Sequence, residues 1–310
     1  MDFIRPEIIR PPSEWASYFL PVTSGCSNHH CTFCRNFGRK LQMRDLDDVN
    51  REIDAVALFI KSGVALPGVP EIVYAISERW DGKGVFLQDS DALVYPFKGL
   101  RTILEHLNRK LPSVERVAVY ATAQDILRRS PEDLKELKGL KLGIVYVGLE
   151  SGDEEVLRKV CKGIESRQVI EAMTRAKSAG ILMSITVILG LGGIERSQRH
   201  ALETARVLSD IDPDYVGALT LTLVPGTPLY QEWQEGSFSL ISPFQSLQEL
   251  RLIIEHSHFS NCFFSSMHAS NYFSVRGRLP QDKVRMMNEL SRVIERGDPS
   301  LLRPDFFRGL

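Results

Sequence analysis

The chain has 310 residues, 43% hydrophobic and 25% charged, with 38 Lys and Arg against 39 Asp and Glu. These proportions exclude a disordered, collagenous or coiled-coil chain and leave ample material for a buried core. The formal charge of -1 excludes a general electrostatic grip on nucleic acid.

A first strand is predicted over Tyr18–Thr23. It runs into a Gly/Ser/Asn-rich loop that carries Cys26, Cys31 and Cys34. Leu46–Ser62 then reads as a helix, with Val49, Ile53, Val56, Ala57 and Ile60 at helical spacing and Gly63 as its stop. Strands follow at Val85–Gln88, Arg116–Ala121, Gly143–Leu149, Ile181–Leu189 and Tyr215–Thr222. Helices alternate with them near Gly99–Leu111, Pro131–Lys138, Asp153–Val160, Arg167–Ala179 and Glu195–Ser209. Ser130 before Pro131 and two acids is a start signal, and Ser166 and Gly180 bound a later helix. Near-continuous apolar strands alternating with helices indicate a parallel sheet covered by helices. Six such units are too few to close a TIM barrel, so the expected fold is α/β, an open partial (β/α)6 TIM-like barrel with a small C-terminal capping segment. The expected division is 1–16 as an N-terminal extension, 17–229 as the core barrel and 230–310 as the capping segment.

From about Tyr230 the repeat ends. Phe244–His258 and Gln281–Glu295 read as helices, the second with Val284, Met287, Leu290 and Ile294 on one face. Between them, Phe263–Tyr272 reads as a strand or loop over the barrel mouth, with His268, Asn271 and Tyr272 as substrate-contact candidates. The competing reading is a packed edge with satisfied polar groups. Met1–Pro6 lacks the basic-then-apolar order of a secretion signal, and the longest mostly apolar run, Ile181–Ile194, is too short to span a bilayer. A cytoplasmic protein without a membrane partner is expected.

Three of the five cysteines fall within nine residues. Thiolates so close repel one another unless a cation holds them, so the loop asks for a metal. A structural zinc needs four ligands, which His29 or His30 could complete. A [4Fe–4S] cluster on three cysteines leaves one iron open to an outside ligand. Cys161 is expected on a helix face as an ordinary buried thiol, and Cys262 as a free core cysteine.

Ligands of parallel α/β sheets collect at the carboxyl ends of the strands. Strand two ends in Gln88-Asp89-Ser90-Asp91, whose acids suit an amino-bearing ligand or, more plainly, a capped turn. Strand three ends near Tyr120 and Thr122. Strand four ends in Gly148-Leu149-Glu150-Ser151-Gly152; a carboxylate there is costly to bury unless paired, and otherwise is a solvated loop acid. Strand five runs into Gly190-Leu191-Gly192-Gly193, where backbone can approach a flat ligand closely.

With this loop, these strand ends and the Ile188–Glu195 turn, the chain resembles the radical S-adenosylmethionine (SAM) superfamily over roughly Ser17–Leu229, in the flavour of its Elp3-like and oxygen-independent coproporphyrinogen oxidase-like branch. The resemblance implies a [4Fe–4S] cluster on Cys26, Cys31 and Cys34, with SAM on the fourth iron. It implies Phe33 beside adenine, Gln88, Asp89 and Asp91 near the methionyl amine, Thr122 and Glu150 as polar SAM contacts, Lys162 at the SAM carboxylate, and Gly190 and Leu191 offering backbone to adenine. Four residues separate Cys26 from Cys31 where the superfamily pattern has three. The implied chemistry is reductive cleavage of SAM to a 5′-deoxyadenosyl or other SAM-derived radical that acts on a small molecule, with an external flavodoxin-like or ferredoxin-like electron donor. Two alternatives stand beside it: an RNA-modifying radical enzyme and a non-catalytic zinc protein. Arg35, Arg39, Lys40, Arg276 and Arg278 are only a modest basic scatter for RNA.

Overall fold

The computed structural model describes residues 3–309. The chain divides into two compact units, Met1–His29 with Arg39–Tyr146 and Arg175–Leu182, and His30–Gly38 with Val147–Thr174 and Met183–Leu310.

In the first unit, β1 (Tyr18–Pro21) leads through Val22 into the short β2 (Thr23–Ser24), which pairs antiparallel with β3 (Gln42–Met43). This two-strand clip joins the two chain segments that flank the cysteine loop. β4 (Gly84–Gln88) pairs parallel with β1, and β5 (Arg116–Ala121) parallel with β4. β1 and β4 are buried at every position, as expected of strands covered on both faces. Helix Leu46–Ser62 starts on Asp45, whose carboxylate accepts from the Asp47 amide, and stops at Gly63 in the left-handed region. Helix Phe97–Lys110 buries Leu100, Ile103, Leu104 and Leu107, one stripe at helical spacing. Helix Pro131–Gly139 opens on a reciprocal Ser130–Asp133 capping box. Glu52 is buried beneath Arg5, Arg44 and the Tyr18 hydroxyl, which donate to its two oxygens at 2.6–3.0 Å. A buried carboxylate so fully paired ties the N-terminal segment to helix Leu46–Ser62.

β6 (Leu142–Glu150) passes from the first unit into the second. There β7 (Leu182–Leu189) and β8 (Tyr215–Thr220) pair parallel, β9 (Cys262–Ser265) is parallel to β8, and β10 (Arg276–Leu279) turns back antiparallel on β9. The strand order is β1-β4-β5-β6-β7-β8-β9-β10. The sheet is mostly parallel and does not close; β1 and β10 are its two ends. The α/β class and the open sheet agree with the sequence reading, and β9 and β10 extend the sheet beyond the six strands expected. Helices Gly193–Ile211, Pro243–His256 and Lys283–Arg296 belong to this unit.

Two expectations are corrected. The last helix buries Met286, Leu290 and Val293, whereas Val284 is 71% exposed; its inward stripe is rotated from the one read in the sequence. Cys161 is exposed. It follows helix Glu154–Lys159 and its cap Val160 in a left-handed conformation (φ 53°), so it lies in a turn and not on a helix face. Cys262, in contrast, is fully buried on β9, as expected.

Candidate functional site

The first unit holds the carboxyl ends of β1, β4 and β5. Beyond β2, the Gly25 amide donates to Asp89 Oδ2 at 3.0 Å, and Ser27 donates to Asp125 Oδ2 at 3.1 Å. Cys26 therefore sits between two residues tied to carboxylates. Gln88, Asp89 and Asp91 are all buried. The Asp89 amide donates to Thr23 Oγ1, so part of this strand end serves the turn itself. Neither oxygen of Asp91 makes a hydrogen bond of full geometry, and the Gln88 side-chain nitrogen is also unpartnered. Burial, then the neighbouring Asp125 carboxylate, pushes the Asp91 carboxyl well above its ordinary range, while Ser27 pulls the other way. Thr122 caps helix Ala123–Leu127: its hydroxyl accepts from the Asp125 amide and donates to the Asp125 carboxylate. That hydroxyl is committed to the cap. Asp125, 2% exposed and also paired with Arg128, was not singled out in the sequence, although Thr122-x-x-Asp125 has capping spacing.

In the second unit the loop from His30 to Gly38 is clipped at Thr32, whose amide donates to the Val160 carbonyl and whose carbonyl accepts from the Leu229 amide, both at 3.0 Å. The Cys34 amide donates to the Cys31 carbonyl, closing a turn, and the Asn36 amide lies 3.5 Å from Cys34 Sγ as a donor. Burial pushes the Cys31 thiol up to about 11; Lys162 opposes this, and Cys34, Glu150 and Cys161 add to it. Burial likewise raises Cys34. Cys31 is buried and Cys34 half-buried, and both thiols feel the charges of Lys162 and Glu150. Those two are paired at 3.0 Å, 16% and 12% exposed. Glu150 has a φ of 65°, and a Cβ on Gly148 would stand 1.9 Å from Glu150 Oε1 and 3.2 Å from Lys162 Nζ. Glycine at 148 is what lets the pair lie across the strand.

Phe33 packs on an apolar cluster of Val156, Val160, Leu191, Leu221 and Leu229, so the structure brings the two apolar residues expected at adenine, Phe33 and Leu191, into one cluster. The Gly190 amide, at φ 80°, donates to Glu249 Oε2 at 2.7 Å. Glu249 is 1% exposed and 3.8 Å from His200 Nε2. Burial pushes Glu249 up to about 7 and His200 down to about 4. Glu249 and His200 carried no signal in the sequence, since their role depends on packing between elements distant in the chain.

At the end of β8, Asn271 is buried and its hydrogen bonds are taken: it accepts from Thr220 and donates to the carbonyls of Ala218 and Ser266. His268 pairs with Ser270, and Tyr272 donates to Asp305 beneath the Arg308 guanidinium, 3.9 Å from its ring centre. Among the described residues, no three His, Cys, Asp or Glu side chains gather so as to hold a single metal ion. Nor is any helix among them long and apolar enough to cross a membrane.

The radical SAM superfamily model matches residues 20–206, more than half of the chain and the stretch that carries all these strand ends except that of β8. The chain belongs to the radical SAM superfamily. It is thus a member of a superfamily of enzymes. Among curated proteins it is 24% identical over 232 residues to a Methanocaldococcus jannaschii protein named for methylthiotransferase activity, with 74% of this chain and 47% of that one covered. It is 22% identical over 261 residues to the heme chaperone HemW of Bacillus subtilis, covering 79% and 63%. The chain therefore spans about half to under two thirds of the length of these relatives. Coproporphyrinogen III oxidase (HemN) of Escherichia coli shares the fold, with a TM-score of 0.56 at 14% identity over 77% of this chain and 51% of that one. So does the methyltransferase TsrM of Kitasatospora setae, at 0.53 and 18%, covering 71% and 39%. Solved structures of TsrM hold a [4Fe–4S] cluster and, in another state, a SAM analogue.

Proposed function

We propose that this chain binds a [4Fe–4S] cluster through Cys26, Cys31 and Cys34 and uses it to cleave SAM reductively, acting on a small-molecule substrate. One observation carries the reading: the buried Cys31 thiol and the half-buried Cys34 thiol lie in the electrostatic reach of the Lys162–Glu150 pair. The donor set fits the cluster. All three are soft sulfur ligands, Cys31 and Cys34 are held in one hydrogen-bonded turn with an amide directed at the Cys34 sulfur, and each cysteine would take a separate iron. Held by these cysteines, the cluster would supply the one-electron reducing equivalent that reductive cleavage of a SAM carbon–sulfur bond requires.

The remaining tasks belong to the protein. Lys162 offers a cation for the SAM carboxylate, and Glu150 a hydrogen-bond acceptor for its ribose or amine. Asp91, buried beside Ser27 and Asp125 with neither oxygen in a hydrogen bond of full geometry, offers a site for an ammonium group. Phe33 offers a partly buried ring for adenine, and the Gly190–Leu191 turn, anchored by Leu191 in the adjoining apolar cluster, offers backbone. The methylthiotransferase and methyltransferase names of some relatives keep group transfer within the range of reactions. An external one-electron donor of flavodoxin or ferredoxin type and a cytoplasmic setting complete the reading.

The test is anaerobic reconstitution with iron and sulfide, reduction, and incubation with SAM. The expected result is about four irons per chain and 5′-deoxyadenosine or methylthioadenosine by mass spectrometry, with Cys31→Ala abolishing both iron and product. A colourless protein that retains one zinc, or turnover that survives Cys31→Ala, would refute it.

A further inference from the structure

We infer that Glu249 is a positioning residue for SAM, fixing the Gly190–Leu191 turn through the Gly190 amide. The inference rests on the proposal that this turn lies against adenine. Glu249 comes from helix Pro243–His256, beyond the residues matched by the superfamily model, so it lies outside the part of the chain that defines the family.

The turn is held from two sides. His200 Nε2 lies 3.1 Å from the Ile188 carbonyl, so that nitrogen carries the proton and donates; Nδ1 then accepts from the Ser151 hydroxyl at 2.7 Å. Glu249 Oε2 takes the Gly190 amide at 2.7 Å. Beyond the end of β7 this amide has left the strand ladder, and φ at 80° turns it inward. Without an acceptor it would be a buried donor with no partner, and the peptide would rotate toward water. Ile241 leaves little room for such movement, since a Cβ at 190 would already stand 3.0 Å from its side chain. Leu191, the next residue, faces the cluster against which Phe33 packs. Rotation of the 190 peptide therefore displaces the proposed adenine surface directly.

The carboxylate is also retained at a cost to the fold. Its second oxygen, Oε1, is buried without a hydrogen bond of full geometry, and the Ser197 side chain is a nearby group that favours the charged form against burial.

The experiment uses cluster-loaded, SAM-free protein prepared anaerobically, with iron content measured for every variant. Glu249→Leu is expected to weaken SAM binding about tenfold or more, and Glu249→Gln, which keeps an acceptor, by less than about threefold. Iron content stays at the parent value in both. In the same SAM-free protein, hydrogen exchange in the peptide spanning 188–195 accelerates in Glu249→Leu and not in Glu249→Gln. If Glu249→Leu binds SAM as the parent does while Gly190→Ala loses affinity, the inference is overturned and the adenine reading of the turn survives. If none of the three variants loses affinity, the adenine reading itself fails and the inference with it. Equal losses in Glu249→Leu and Glu249→Gln would show that the hydrogen bond is not the cause.

Discussion

Two glycines four residues apart separate the site from the scaffold beneath it. At Gly148 an added Cβ meets Glu150 Oε1 at 1.9 Å, Glu150 Cδ at 2.8 Å and Lys162 Nζ at 3.2 Å, all far ends of flexible side chains. At Gly152 it meets the Glu203 carbonyl oxygen at 2.3 Å, its carbon at 2.5 Å and Thr204 Cα at 2.7 Å, all backbone of helix Gly193–Ile211. In Gly148→Ala the ion pair swings aside, which costs about 1 kcal/mol, the low end for overpacking. In Gly152→Ala a packed helix must move, and about 3 kcal/mol or more is expected. Thermal unfolding of cluster-free protein should accordingly fall by a few degrees in the first and by roughly three times as much in the second. SAM binding to cluster-loaded protein should behave in the opposite way for the variant that folds well: Gly148→Ala loses about tenfold or more, because both charged groups proposed to meet SAM have left their places. If Gly148→Ala unfolds as early as Gly152→Ala and its surviving folded fraction binds SAM normally, the assignment of Glu150 and Lys162 to the ligand is wrong.

Lys162→Met should slow alkylation of Cys31 in cluster-free protein several-fold, read peptide by peptide in a mass spectrometer, because Lys162 is the group that favours its thiolate. Asp91→Asn should raise the melting temperature of cluster-free protein at pH 7, since burial and Asp125 lift the Asp91 carboxyl well above its unfolded value and its ionisation therefore opposes folding as pH rises; the same variant should bind SAM about tenfold more weakly. Glu249 (about 7 in the fold, 4.5 ordinarily) takes up a proton on folding between pH 4.5 and 6.5, and His200 (about 4, ordinarily 6.5) releases one, so their contributions to the slope of stability against pH cancel there. In Glu249→Gln only the His200 contribution remains, and urea unfolding should show stability falling by about 3 kcal/mol as pH drops from 6.5 to 4; an unchanged slope would refute the pairing.

The sequence made the periodic elements legible because their signals are local. Asp45 and Gly63 bound their helix through contacts within a few residues, and Ser130, Pro131 and Asp133 do the same for theirs. The alternation of apolar strands with helices was enough to reach an open, mostly parallel sheet. β9 was harder to see, being four residues long within a run of mixed aromatics and serines, and it becomes a strand by pairing with β8. The stripe of the last helix was misplaced for a related reason. Both Val284 and Met286 are apolar, and only packing against helix Pro243–His256 and β10 decides between them.

The site divides along the same line. Cysteine spacing and strand-end position are properties of the chain, so the loop, Glu150 and Lys162 could be named from sequence. Asp125, His200 and Glu249 act by what they touch across 49 to 98 residues of chain: Ser27 for Asp125, Ser151 for His200, Gly190 for Glu249. Each is a buried polar group whose stability depends on a partner brought in by the fold, and no local pattern records such a partner. The consequence for function is specific. The superfamily match ends at residue 206, but the Gly190 amide is held by Glu249 and the Leu221 carbonyl at the end of β8 accepts from Arg308. Segments beyond the match therefore set the backbone geometry of two strand ends within this unit, and substitutions there should alter ligand affinity without touching the cysteines.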